Sequence, residues 1–240
     1  PESVGDGMLV APFNDSNFAE SLIEEPGGDI AGIIVEPLQR LIPPAPGFLE
    51  TLRAKADEHG IVLIFDEVMT SRLGPAGYQG VCGVTPDMMS MGKYVGGGLT
   101  FGAFGGSKEI MEHFDPARPK HLSHAGTFNN NVLTMAAAIT GLSEIYTADK
   151  ATAMNEAGND LRARLNERLA SHGVAGQVTG YGSMMMLHLT DAPLQSPADS
   201  GKVSGDARGL FHLGMIERGY YVARRNMMVL SLPMGDAEFD

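Results

Sequence analysis

Three short stretches carry side chains able to do more than pack. In "LIFDEVMT", residues 63–70, an apolar run ends directly in Asp66 and Glu67. A carboxylate buried there is costly unless a cation or several donors meet it, and ligands of open α/β sheets bind beyond the carboxyl ends of strands. A protonated heterocyclic nitrogen is one such cation. The plainer account is that Asp66 or Glu67 caps a turn or pairs with Arg72. In "SMGKYVGGG", residues 90–98, Lys93 lies between an apolar segment and three consecutive glycines. Glycines let backbone approach a bulky ligand, and a desolvated lysine becomes a nucleophilic amine that condenses with aldehydes. By default, though, lysine is a surface residue. In "HAGTFNNN", residues 124–131, Thr127 and a run of amides precede a helical segment. Hydroxyl and free N–H groups at a helix start suit a phosphate, or merely cap the helix.

A carboxylate for a pyridinium nitrogen, a lysine for an aldehyde and a Thr-amide site for phosphate together describe pyridoxal 5'-phosphate. Other polar residues offer less. His121 and His124 have no cysteine or carboxylate beside them to complete a metal set, so no metal is expected. Cys82 has no histidine partner pattern, and the methionines of "SMMMLHL" and "NMMVL" read as core filler.

The elements that must position these residues follow an α/β pattern. "IAGIIV", closed by Glu36 and Pro37, reads as a buried strand. "GFLETLRAKADEHG" places Phe48, Leu49, Leu52 and Ala56 on one helix face, with Gly60 at the C-cap. "IVLIFDE" is a second buried strand, and "PDMMSMGK" a third apolar segment. Strand–helix–strand without alternation in the strands predicts a βαβ unit in a mostly parallel sheet. Ser107 caps a short helix through Phe114. "VLTMAAAITGLSEIY" and residues 151–171, with Met154, Leu161, Leu165 and Leu169 on one stripe, are helical. "SMMMLHL", a helix near 205–218, "YYVA" and "MMVLSL" complete the set, and Asp236 reads as the N-cap of a helix that stops abruptly. The change from glycine-rich loops to regular alternation near residue 147 predicts part of a large domain over 1–147. A smaller C-terminal α/β domain, incomplete at its end, is expected over 148–240.

Composition narrows the partners. Of 240 residues 29 are acidic and 17 basic, a net charge of −12 that argues against nucleic acid or an anionic membrane. One cysteine permits no internal disulfide and fits a reducing compartment. With no apolar run of spanning length and no signal-peptide pattern, cytoplasm is the expectation.

"IIVEP", "LIFDEVMT", "DMMSMGKYVGGG" and "AGTFNNN" stand in the order of the class III, fold-type I aminotransferases, and nearly the whole chain resembles that family. The resemblance implies that Asp66 binds the pyridine nitrogen, Val68 packs on the ring face and Lys93 holds the cofactor as an imine. Thr127 then reaches the phosphate of the cofactor in the neighbouring subunit of a homodimer. Within the class, "FDEVMTSRLGPAGYQG", "GTFNNN" and "ARRNMMVLSLP" are more similar to aromatic β-amino acid (β-phenylalanine) aminotransferases than to glutamate-1-semialdehyde 2,1-aminomutases. In the former an arginine before the "VLSLP" strand binds the substrate carboxylate, and Arg225 matches it, leaving Arg224 to the surface. The mutases carry an acid in this region, and residues 221–230 hold none. The expected reaction moves an amino group from an amino acid to a 2-oxo acid. The alternatives are the aminomutase and an inactive fragment or pseudo-enzyme that serves only dimerisation. The family's glycine-rich phosphate turn and ring-stacking aromatic have no counterpart in residues 1–30, so a fragment lacking the N-terminal portion is expected.

Overall fold

In the computed structural model the described residues are 5, 7–25, 29–200 and 204–239. After helix α1 (Ser16–Glu24), the β-branched run of β1 (Gly32–Val35) leads through α2 (Phe48–His59) to β2 (Val62–Asp66). A short helix α3 (Gly77–Cys82) precedes β3 (Met88–Gly92), and β4 (Gly102–Gly106) follows it. These strands form one sheet in the order β1-β2-β3-β4. β1, β2 and β3 are mutually parallel, and β4 runs antiparallel to β3. Then come α4 (Val132–Thr140), the 24-residue α5 (Ala148–Ser171), β5 (Gln177–Tyr181), β6 (Met184–His188), α6 (Gly205–Glu217) and β7 (Met227–Val229). The last three strands make a separate antiparallel sheet, β5-β6-β7.

The chain divides into two compact units. One is Ile23–Pro37 with Leu49–Lys150; the other is Pro1–Leu22, Leu38–Phe48 and Ala151–Asp240. In the first unit, the apolar face predicted for α2 is buried through Leu49, Leu52 and Ala56, and Leu63 and Phe65 of β2 are fully covered. Gly60, at φ +66°, turns the chain out of α2, and Ile61 N–H closes on Ala56 O at 2.9 Å. Ser107 caps the single turn Lys108–Met111 as expected, its hydroxyl accepting from Ile110 N–H.

In the second unit, three asparagines of α5 fasten the β5–β6 hairpin. Asn155 accepts from Ser183 N–H at 2.8 Å, Asn159 from Gly182 N–H at 2.9 Å and Asn166 from Val178 N–H at 2.8 Å. Gly158 lies so close to the Gly182 carbonyl that a Cβ would collide with it. A glycine inside a helix is unfavourable by about 1 kcal/mol relative to alanine, and here that close approach requires it. Met184, Met185 and Met186 fill this core.

Four expectations need correction. β1 and β2 are not covered on both faces: Ile34 is 68% exposed, and only alternate residues of β2 are buried. Among the described residues β1 has β2 as its sole neighbour, so its pattern is that of an edge. "GAFGG" was expected as loop and forms β4, because backbone pairing with β3 overrides the low strand preference of glycine. "YYVA" is no strand; Tyr221 is 89% exposed and the chain there is irregular. Asp236 is the first residue of a helical turn and not its cap, since Glu238 reaches back to accept from Gly235 N–H at 2.7 Å.

Candidate active site

Asp66 is the last residue of β2 and is paired in register with Ser90 of β3. Ser90 Oγ donates to Asp66 Oδ1 at 2.9 Å, and Val68 N–H donates to the same oxygen at 3.1 Å. One oxygen is therefore held by a neighbouring strand and by the turn after β2. The other, Oδ2, has no protein donor among the described residues.

β3 ends two residues beyond Ser90, at Gly92, and Lys93 opens a 3-10 turn over Lys93–Gly96. Its φ is +53°, in the left-handed region that a residue with a Cβ occupies at a cost of roughly 1–2 kcal/mol. Such an outlier is where a functional constraint is sought. Gly97 N–H closes the turn on Tyr94 O at 3.0 Å. A Cβ on Gly97 would stand 2.5 Å from Ala137 O, so the missing side chain lets this turn lie against α4. Gly92, just before Lys93, makes room for Val68, whose Cγ1 is 3.4 Å from where a Gly92 Cβ would be. Asp66, Val68 and Lys93 thus lie at or just beyond the carboxyl ends of two adjacent parallel strands. A fixed carboxylate with one oxygen unengaged, an apolar face and a primary amine fit a planar ring that carries a protonatable nitrogen and an aldehyde.

Lys93 is exposed, so the desolvation expected of it is not supplied by the described residues. Its neighbours Gly92 and Val95 are buried. Tyr94, edge-on to Tyr146 at 5.5 Å, is pushed above the usual phenol range by burial.

The acidic pair divides its labour. Glu67 is fully buried and accepts from Tyr78 N–H at 2.6 Å and Gln79 N–H at 3.1 Å, with Thr70 Oγ1 at 3.3 Å. Burial raises its carboxyl above the usual range, and these donors offset part of that rise. The capping account therefore holds for Glu67, which fastens the start of α3.

Thr127 lies in an exposed turn, four residues ahead of the cap of α4. That cap is Asn131, whose Oδ1 accepts from Leu133 and Thr134 N–H at 3.1 and 3.2 Å. Asn131, and not Thr127, is therefore the residue that takes the first helix donors. Next to this turn, Leu99, Phe101, Phe104, Phe114, Phe128 and Met135 line an open concavity of about 890 Å³. His124 packs edge-on to Phe104 at 5.1 Å. Arg225 belongs to the other unit. It sits before β7, in the turn that Asn226 N–H closes on Ala223 O at 2.7 Å, and its exposed guanidinium meets Met227 Sδ at 3.4 Å. Among the described residues no cluster of His, Cys, Asp or Glu could hold a metal ion, and no helix is long and apolar enough to cross a membrane. Ser90 escaped sequence reading; the one available signal was a hydroxyl interrupting the methionines of "MMSMG".

Residues 10–211 match the class-III aminotransferase family model. The chain is 45% identical over 243 aligned residues to a β-phenylalanine transaminase of Variovorax paradoxus, covering 100% of this chain and 56% of that protein. It is 39% identical to a glutamate-1-semialdehyde 2,1-aminomutase of Shouchella clausii, covering 93% of this chain and 52% of the other. The solved structure of a β-phenylalanine aminotransferase from Variovorax paradoxus superposes with a TM-score of 0.93 at 46% identity, covering 96% of this chain and 54% of that one. The chain spans about half the length of the curated relatives it matches. Its mixed, mostly parallel sheet is that of the fold-type I transferases, and the chain belongs to the class-III aminotransferases.

Proposed function

We propose that this chain is the lysine-bearing half of an aminotransferase that uses pyridoxal 5'-phosphate. It moves an amino group from an aromatic β-amino acid to a 2-oxo acid. One observation carries the reading: Asp66, fixed on one oxygen, and Lys93, in a strained left-handed turn, occupy the carboxyl ends of adjacent strands. When bound, the cofactor supplies an aldehyde and an electron-accepting ring. Asp66 Oδ2 would accept from the ring N–H and keep that nitrogen protonated, and Val68 would cover one ring face. Lys93 Nζ would hold the aldehyde carbon, its oxygen leaving as water; once the substrate's amino group displaces it there, the freed amine would move the proton from the substrate carbon that bears the amino group to the former aldehyde carbon. Arg225 binds the substrate carboxylate.

Thr127 is assigned to the phosphate of a neighbouring subunit's cofactor in a homodimer. In support, Phe128, Val132 and Leu133 beside it are 83%, 78% and 73% exposed, an apolar surface of the kind that partners cover. A second reading, the aminomutase, has the Shouchella clausii relative in its favour and the absence of an acid in residues 221–230 against it. Borohydride reduction of the cofactor-loaded whole protein, followed by peptide mapping, should fix the cofactor on Lys93. A label on another lysine, or a Lys93→Ala variant that transaminates at the wild-type rate, refutes the assignment. Rapid conversion of glutamate-1-semialdehyde, with none of β-phenylalanine, selects the aminomutase.

A further inference from the structure

We infer that Ser90 is a positioning residue for Asp66, its hydroxyl holding the carboxylate so that Oδ2 stays available to the ligand's ring nitrogen. The inference rests on Asp66 being that nitrogen's partner.

Two strands are pinned to each other here, by backbone and by side chain. Glu67 N–H donates to Ser90 O at 3.1 Å, and Ser90 Oγ donates to Asp66 Oδ1 at 2.9 Å. The main-chain bond would survive any substitution at position 90; the side-chain bond needs a hydroxyl. A carboxylate's terminal torsion is soft and roughly two-fold, so Val68 N–H at 3.1 Å is a single point about which the group can swing. The second donor, arriving from the next strand, defines which oxygen remains open. Ser90 is also the polar exception in "MMSMG", where every other side chain in the strand is apolar or absent. Because Lys93 directly follows β3, the hydroxyl ties the carboxylate to the strand that leads into the lysine turn.

The test is equilibrium binding to the whole apo-protein of two ligands, pyridoxal 5'-phosphate and its carbocyclic analogue with CH in place of the ring nitrogen. Ser90→Ala should raise Kd for the pyridine ligand about three- to tenfold, the effect of one hydrogen bond. It should leave the analogue's Kd unchanged, and Ser90→Thr should restore the pyridine affinity. Equal losses on both ligands, or no loss, overturn the positioning role. Asp66→Asn is run in parallel. If it weakens the pyridine ligand selectively while Ser90→Ala does not, only the role of Ser90 fails. If it shows no selectivity either, the assignment of Asp66 fails and takes this inference with it.

Discussion

The carboxylate of Glu67 stands where a side chain on Gly77 would begin, with Oε2 2.7 Å from the position of a Cβ there. Gly77 also has a φ of +73°. The turn before α3 can therefore close only around a residue without a side chain, and it closes on a carboxylate. Tyr78 and Gln79 N–H groups, otherwise unsatisfied at the first turn of α3, are met by that carboxylate.

Glu67 should give folding a distinctive pH dependence. Burial raises its folded pKa, so the native state holds the proton more tightly than the unfolded chain does. Its stabilising contribution is full below the ordinary carboxylate value of about 4.3 and is lost as pH rises through the raised folded value. Glu67→Gln cannot titrate. Urea unfolding at a series of pH values should show wild type losing stability relative to Glu67→Gln across that window. Parallel curves would contradict the shift. Glu67→Ala, which strands two helix donors, should cost roughly 2–4 kcal/mol below that window and less above it.

Replacing Asp66 should affect turnover more than cofactor retention. An ion pair to the ring nitrogen matters most when the substrate carbon loses its proton, so Asp66→Asn should lower kcat on the order of a hundredfold or more. Single-turnover kinetics with the loaded whole protein measure this. Near-normal turnover would remove Asp66 from the mechanism.

Thr127 should link cofactor to assembly. If its hydroxyl bonds a phosphate held in the partner subunit, Thr127→Ala should weaken cofactor binding about tenfold, as expected for a bond to a charged group. Cofactor should then stabilise the dimer less, by mass action. Sedimentation velocity with and without cofactor reads both. A monomer that keeps wild-type affinity would dissociate the two.

Arg225 should discriminate between donors. A guanidinium grips a carboxylate through two parallel bonds, so Arg225→Ala should raise KM for β-phenylalanine while sparing an arylalkylamine without a carboxylate. The loss should be on the order of 2–5 kcal/mol if the pair is desolvated when substrate is bound. Its exposed turn beside Met227 leaves the side chain able to move. Equal losses on both donors would make Arg225 structural.

The strands that bear the site were legible because β1, β2 and β3 are apolar runs bounded by turn residues, and α2 because its buried residues recur at helical spacing. β4 was not, since "GAFGG" has almost no side chains to betray a strand and is held by its ladder to β3. Tyr220 and Tyr221 misled for the opposite reason: β-preferring residues without a ladder partner do not make a strand. At the site, the types of Asp66 and Lys93 were readable and their support was not. Which of two adjacent carboxylates is buried depends on a helix that starts ten residues later, at Gly77. Likewise, the Asp66–Ser90 bond depends on a register fixed only when β2 and β3 pair.

The left-handed backbone at Lys93 makes this position a compromise between foldability and chemistry. Asparagine and glycine occupy that conformation with less strain than lysine does. Lys93→Asn should therefore raise the stability of the apo-protein, by about 1 kcal/mol, even as it abolishes turnover. Calorimetry of the apo-protein would show it, and a lower melting temperature would count against the strain. If Lys93 holds the cofactor as proposed, one residue sets the stability of the empty protein against the reactivity of the loaded one.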